Sequence, residues 1–437
     1  MNEGLVTDRV EQHETAGTRW PRMFISLSEP QFRTFVLGML FTYVPMTMQM
    51  VTTGYLAYMI AGRATDLGLV ALAWGVPGLV LTLFAGVAAD RYDRRAILLV
   101  TQLLIGLQTV VVALLIQVGV IQVWHLVVSG LLQGTLFAFN MPARQGALPE
   151  VVPERFLANA VAVNNSFFNL CRIFGPSLAG VMIAIPWIGM AGVYYLMGAS
   201  FALSALALTP LRLPPRASNP HRPVLTEIGA GFRYILARPS LWVMILMAFA
   251  FVGFGMPYVN LLPVYAVSVL GVDSAGLGIL MTAQGVGALV GSLALGALAD
   301  YPRKAVLQLL AAVTFGILLV VIALTASFPP ALLLMVLVGG AGNLYMSLNN
   351  TLLMLNAQRA FLGRVMSVYM FTFSVMPLMV LPIGAFADLV GVQATMSAQG
   401  LVVVACMMAI ALFAPRRAVF RDSEQDEPES PVSKVSG

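Results

Sequence analysis

Few residues in this 437-residue chain are equipped for chemistry, and none is spaced for catalysis. Its three histidines, His13, His125 and His221, lie far apart. The two cysteines, Cys171 and Cys406, sit in separate apolar stretches and read as small buried hydrophobes, not as a disulfide or metal pair. No nucleophile–base spacing, metal-ligand spacing or Gly-x-x-x-x-Gly-Lys-Ser/Thr phosphate loop is present. The chain therefore reads as neither an enzyme nor an ATP-driven pump, and no cofactor or metal is expected. His125, next to Trp124, reads as an interfacial anchor. Two features stand out: a charged block, Gly86-Val-Ala-Ala-Asp90-Arg91-Tyr-Asp-Arg94-Arg95, and a single arginine, Arg172, inside an uncharged apolar run.

The elements that must position these residues are membrane spans. The chain is 59% hydrophobic and 10% charged, against about 25% charged in soluble domains. So little charge cannot keep a folded globule in water, so apolar surface must face lipid. A helical span needs about 20 mostly apolar residues. Charge-free runs place twelve, near 34–60, 66–88, 96–118, 122–142, 157–185, 190–209, 240–268, 275–299, 305–325, 330–352, 362–386 and 393–414. The first of these is expected to serve as an uncleaved insertion signal.

All but two of the 24 lysines and arginines fall in the tails and alternate loops on one side, the exceptions being Arg63 and Arg172. Positive residues stay in the cytoplasm, which predicts cytoplasmic termini and a multi-pass protein of the plasma membrane, the inner membrane in a bacterium. The net charge of +5 is thus a topology signal and not a nucleic-acid footprint.

The expected organisation is a cytoplasmic tail (1–33), a six-helix bundle (34–209), a linker (210–239) with an interfacial helix near 225–238, a second bundle (240–414) and a disordered tail (415–437). An internal repeat supports two halves. Gly86–Asp90 matches Gly296–Asp300, Asn140 matches Asn350, and Pro176 matches Pro382. Two bundles related by an axis along the membrane normal would give this pattern.

The charged block resembles the signature loop of the major facilitator superfamily, Gly-x-x-x-Asp-Arg-x-x-Arg-Arg/Lys, and sits where that loop sits, after the second span. Its second-half copy at Asp300 is degenerate and one residue shorter. Arg172-Ile-Phe-Gly175-Pro176-Ser-Leu-Ala-Gly180 resembles a shortened form of the Gly-Pro motif of the family's antiporters. The stretches Asn140–Pro153, Leu157–Ala160 and Gly276–Gly291 resemble the branch of enterobactin exporters and macrolide-efflux pumps. The fold implied is all-α, with twelve transmembrane helices in two pseudo-symmetric six-helix bundles. The function implied is secondary export of a small amphiphilic compound by alternating access, with protons as the implied coupling ion and a monomer as the expected form.

The resemblance also implies roles. Gly86, Asp90, Arg91, Arg94, Arg95 and Asp300 would form a cytoplasmic gate, with Asp90 meeting the start of span 11 near Leu362-Gly363-Arg364; the alternative is that the charges only anchor topology. Gly175, Pro176 and Gly180 would bend span 5 or let it pack closely. Spans 1, 4, 7 and 10 would line a substrate cavity with Tyr43, Gln49, Gln133, Phe137, Asn140, Tyr258, Asn260, Asn343, Tyr345 and Asn349, residues that could equally serve packing. Arg172 would be a structural group or a substrate contact, since no carboxylate is available at its depth: Asp90, Asp300 and Asp388 lie at span ends. An importer or facilitator on the same fold, a solute-regulated receptor and a membrane enzyme remain the competing readings.

Overall fold

The computed structural model describes residues 22–213, 233–298, 301–358, 361–373 and 375–413. The interfacial helix expected near 225–238 lies largely outside these residues, as do the tail beyond 413 and Asp300. Among the described residues there is no strand, and twelve helices are long and apolar enough to cross a membrane. In chain order they are α1 (Pro30–Ala61), α2 (Ala64–Arg91), α3 (Arg94–Gln117), α4 (Val123–Ala147), α5 (Leu157–Ala184), α6 (Gly189–Leu208), α7 (Pro239–Ser268), α8 (Ser274–Ala297), α9 (Lys304–Ala323), α10 (Phe328–Asn356), α11 (Leu362–Val390) and α12 (Val392–Phe413). Every helix falls within a few residues of its expected span. Helix is forced here, because lipid offers no partner to a free backbone N–H or C=O. The ends carry local signals. Pro30 and Pro239 occupy first-turn positions, Asp93 and Asp273 cap α3 and α8, and Gly62 closes α1 in the left-handed region at φ 67°.

The packing repeats itself. In the first half α2 pairs with α4, α3 with α6 and α3 with α4; in the second, α8 pairs with α10, α9 with α12 and α9 with α10. The closest approaches run through glycine. A Cβ on Gly134 (α4) would lie 2.1 Å from the Trp74 carbonyl oxygen of α2, and one on Gly339 (α10) would lie 2.0 Å from the Gln284 oxygen of α8. Without a hydrophobic force between helices in lipid, such small-residue contact is what holds them.

These pairs give the register of the repeat. Trp74 and Gln284 are 210 residues apart, but Gly134 and Gly339 are 205 apart. In α5 and α11 the matching contacts are 204 apart. Asn140 therefore corresponds to Tyr345 and not to Asn350, and Pro176 corresponds to Val380 and not to Pro382. Loops of unequal length between the halves shift the offset while helix geometry is kept.

Two further pairs join the halves, α2 with α11 and α5 with α8. They are exchanged by the same repeat. Gly68 meets Val380 and Leu381, and Gly75 meets Pro377; in parallel, Gly278 meets Pro176 and Ser177, and Gly285 meets Ile173.

The hydrophobic cores show where the halves meet. One large cluster draws on both, from Met48, Leu56 and Leu67 to Tyr265, Leu280 and Met335. Its first-half part lies toward the face at which α1 ends, here the far face, while its second-half part also reaches Val243, Leu309 and Ile410 toward the opposite ends of α7, α9 and α12. At that opposite face, where α1 begins, one cluster contains only first-half residues such as Phe35, Leu98 and Ala147, and another only second-half residues such as Met244, Leu353 and Val365. Among the described residues the halves thus share a core toward the far face and none at the other, the tail face.

Helix breaks fall in the second half. α7 passes through a π-helical turn, Phe251–Gly255, between Pro239–Ala250 and Tyr258–Ser268. α11 consists of Leu362–Phe373 and Met376–Val390. α5, by contrast, is a continuous helix through Pro176. Gly134→Val is expected to destabilise the protein by about 1–3 kcal/mol through overpacking against Trp74. Gly363→Ala, with nothing within 4 Å of the added Cβ, should be near neutral. Thermal unfolding in detergent of both variants checks this.

Candidate functional site

Polar side chains gather in three zones, one at each face and one at mid-depth. The first is the charged block at the tail face. Asp93 caps α3 by accepting the Arg95 N–H at 2.9 Å. The Arg94 guanidinium donates to the Gly146 carbonyl at 2.7 Å and pairs with Glu150 at 2.7 Å, filling the space a side chain at 146 would need. Arg95 donates to the Thr209 carbonyl at the end of α6. Both arginines thus clasp helix ends within the first bundle, while Arg91 is exposed. Arg94 and Arg95, expected among the gate residues, make these bonds inside the first bundle. The side chains of Gly86 and Asp90, and Asp300 altogether, lie outside the described residues.

The second zone is at the far face. The first N–H groups of a helix have no intrahelical partner, and α2 has no side-chain cap of its own at Arg63. Asp388, near the end of α11, supplies one from the other bundle. Its carboxylate accepts the N–H of Ala64 at 2.7 Å and of Thr65 at 2.9 Å, and the Thr65 hydroxyl as well. Negative charge is favoured at this end of a helix. Arg63 pairs with Asp66 at 3.2 Å beside it. The second half is built differently. Asp273, the counterpart of Arg63, caps its own helix through Gly276 N at 3.0 Å, and Ser274 donates to the Gly180 carbonyl of α5 at 3.2 Å. Sequence reasoning missed Asp388 as a contact, although a signal existed: α8 begins with an Asp cap and α2 does not.

The third zone is at mid-depth. Gln49 of α1 and Gln133 of α4 exchange amide hydrogen bonds at 2.8 and 2.5 Å. Tyr43 donates to Asn164 at 3.1 Å, meets Phe168 edge-on and carries the buried Arg144 guanidinium over its ring at 5.0 Å. Arg172 makes no hydrogen bond or ion pair among the described residues; its neighbour is Tyr258 of α7, which also interacts with Gln284 of α8. Tyr258 is fully buried, and Asn260 is half-buried two residues on.

Other expected cavity residues are occupied within their own bundles. Asn140 donates to Thr101 at 2.8 Å, and Phe137 packs with Ile105 and Phe201. Asn343 donates to Ala288 and Ser292 of α8, at 2.8 and 2.5 Å. Asn349 accepts from Gln308 at 2.6 Å, and Tyr345 stacks on Phe251 at 4.1 Å. The glycines of α5 serve close approach. A Cβ on Gly175 would lie 2.1 Å from the Thr47 hydroxyl, one on Gly180 would lie 2.3 Å from the Ser274 carbonyl, and the Pro176 carbonyl faces Gly278.

Residues 22–435 match the family described as transmembrane secretion effector. The multidrug efflux pump Tap of Mycolicibacterium fortuitum is 30% identical over 81% of this chain and 88% of its own. The enterobactin exporter EntS of Citrobacter koseri is 27% identical over 75% of this chain and 76% of its own. Among solved structures, a bacterial homologue of the human lysosomal transporter Spinster, inward-facing and occupied, superposes with a TM-score of 0.68 at 18% identity, covering 92% of this chain and 99% of that one. That likeness bears on fold alone.

The Asp388 cap generates a direct expectation. Asp388→Ala removes an interaction worth about 0.5–2 kcal/mol, enough to shift the far-face equilibrium about fivefold toward opening at 1 kcal/mol. Asp388→Asn keeps an acceptor and should shift it less. Spin labels at Val120 and Leu324, exposed near far-face turns of the two bundles, report the change as a longer-distance population.

Proposed function

Because the chain belongs to the transmembrane secretion effector family of the major facilitator superfamily, we propose that it exports small amphiphilic molecules by alternating access. It is a multi-pass membrane transporter, and its family and relatives are transporters. The observation that carries the export reading is the arrangement of the cores. Among the described residues the bundles share a core toward the far face and have separate cores at the tail face. The tail face is the one with nearly all the lysines and arginines, so it is the cytoplasmic face. The protein then stands open to the cytoplasm, ready to collect a ligand from the cytosol or the inner leaflet.

The two gates have one logic. α2 and α11 run antiparallel, and each carries an aspartate in its last turn. At the far face Asp388 of α11 caps α2. In the alternate state Asp90 of α2 would cap the start of α11 near Leu362, closing the cytoplasmic face as the far face opens. Arg94 and Arg95 hold the α3 end of the loop firm against α4 and α6, so that Asp90 moves with its whole bundle. The ligand site is the mid-depth zone of Gln49, Gln133, Arg172 and Tyr258, with Tyr43 and Asn260 at its margin. Coupling to protons rests on the family resemblance, and Asp90 and Asp388 are the carboxylates placed to take part.

Everted membrane vesicles carrying the full chain test this. They are expected to accumulate fluorescent amphiphiles when energised with a proton gradient, and Asp90→Asn, inserted normally, should lose at least about tenfold of that flux. Accumulation only in right-side-out vesicles would make the protein an importer. Unchanged flux in Asp90→Asn would remove the cytoplasmic latch.

A further inference from the structure

The proposed ligand site contains a charge with no ion-pair partner among the described residues. Arg172 is the sixteenth residue of the 28-residue α5, at mid-depth. Its direction follows from helix geometry. At 3.6 residues per turn, Leu170, Phe174 and Val181 lie roughly 160–200° around the axis from Arg172. Those three are large, apolar and 49%, 60% and 45% exposed, so they form the lipid face. On the other side, Gly175 packs on Thr47 of α1, while Ile173, Pro176 and Gly180 pack on α8. Arg172 falls between these two contact stripes. It points away from lipid, into the wedge between the bundles.

Within that wedge Tyr258 of α7 lies within electrostatic reach of Arg172, and the Tyr258 hydroxyl is hydrogen-bonded to Gln284 of α8. The Arg172 side chain remains accessible, with no hydrogen bond or ion pair among the described residues. A charged side chain at this depth costs at least about 2.5–3.5 kcal/mol on insertion scales. Such groups are normally paired, and here the chain supplies no carboxylate to pair it.

We propose that Arg172, with Tyr258 and Gln284, forms an anion subsite that takes the acidic head of the ligand, a carboxylate, sulfonate or phenolate on an apolar body. Arg172 contributes the charge and a planar pair of donors. Tyr258 and Gln284 contribute neutral hydrogen bonds from the opposite bundle, so an anion held here touches both halves. The same charge repels lipophilic cations. The assignment rests on the transport reading of this chamber and adds the sign of the ligand's charge to it.

Equilibrium binding to the purified full-length chain in detergent tests the assignment independently of transport direction, using two dyes with one ring system: fluorescein (anionic) and rhodamine 123 (cationic). The wild-type protein is expected to bind fluorescein about tenfold or more tightly than rhodamine, a difference of about 1.4 kcal/mol. Arg172→Gln should lose that preference by weakening fluorescein alone. Arg172→Lys should restore part of it, and Tyr258→Phe should weaken fluorescein by a few-fold. A variant that unfolds would show a lowered melting temperature and loss of both dyes, and Arg172→Lys, which keeps the charge, then decides. Overturning results are wild-type binding that favours rhodamine, absence of fluorescein binding to the wild type, or equal fluorescein affinity in a folded Arg172→Gln protein. Failure of export in vesicles with anion binding intact would instead fault the direction of transport.

Discussion

The constraint on which the rest depends is that a helix start in a membrane protein must find acceptors, and α2 finds them in the other half of the molecule. Its opening N–H groups at Ala64 and Thr65 are satisfied by Asp388 of α11. A cap that crosses between bundles differs from one within a helix. On the alternating-access reading it is made or broken as the bundles move, so its energy enters the equilibrium between states and not merely the stability of one helix. Its size, about 0.5–2 kcal/mol, suits that purpose. A much larger latch would lock the far face, because transport requires both states to be populated within a few kcal/mol.

The same pair of helices explains how the halves can separate without unfolding. Their contacts are backbone against glycine, as at Gly68 with Leu381 and Gly384 with Ala64. Within each bundle glycine contacts of the same kind are supplemented by polar side chains that tie helices together, as Asn140 does to Thr101, Ser204 to Gly38, and Gln308 to Asn349. Arg94 adds an ion pair to Glu150 and a bond to Gly146 at the first bundle's tail face. Rigid units joined by small-residue seams are what rocking of one bundle against the other demands.

Much of this was legible in the sequence. Span positions followed from apolar run length, because lipid enforces helix wherever charge is absent. The register of the repeat was not, since Asn140 and Asn350 share a residue type and a plausible offset but sit on helices displaced by unequal loops. Nor could the sequence separate cavity residues from packing residues on α4 and α10. Phe137 and Asn343 lie on helices expected to line the cavity, but on faces turned toward neighbours in their own bundle, a distinction of about one residue in helical phase. Arg172 was legible as an anomaly, because charge at mid-span is costly wherever it points. Its direction needed the lipid-facing Leu170, Phe174 and Val181 and the α8-facing Ile173 to fix it.

The asymmetry of the halves gives Arg172 its meaning. Its counterpart in the repeat is Met376 of α11, so the charge belongs to one bundle only and is not a remnant of the shared architecture. On the proposed orientation, water reaches the guanidinium while the tail face is open, and the charge is tolerated. Closing that face around an empty site would trap it beside Tyr258, with no carboxylate to meet it. The desolvation cost of an unpaired buried charge amounts to several kcal/mol, which exceeds what one helix cap returns. An anionic ligand removes that cost by supplying the missing partner. On the anion assignment, then, Arg172 makes ligand occupancy a condition for closure, and the chain needs no separate device to prevent empty cycling.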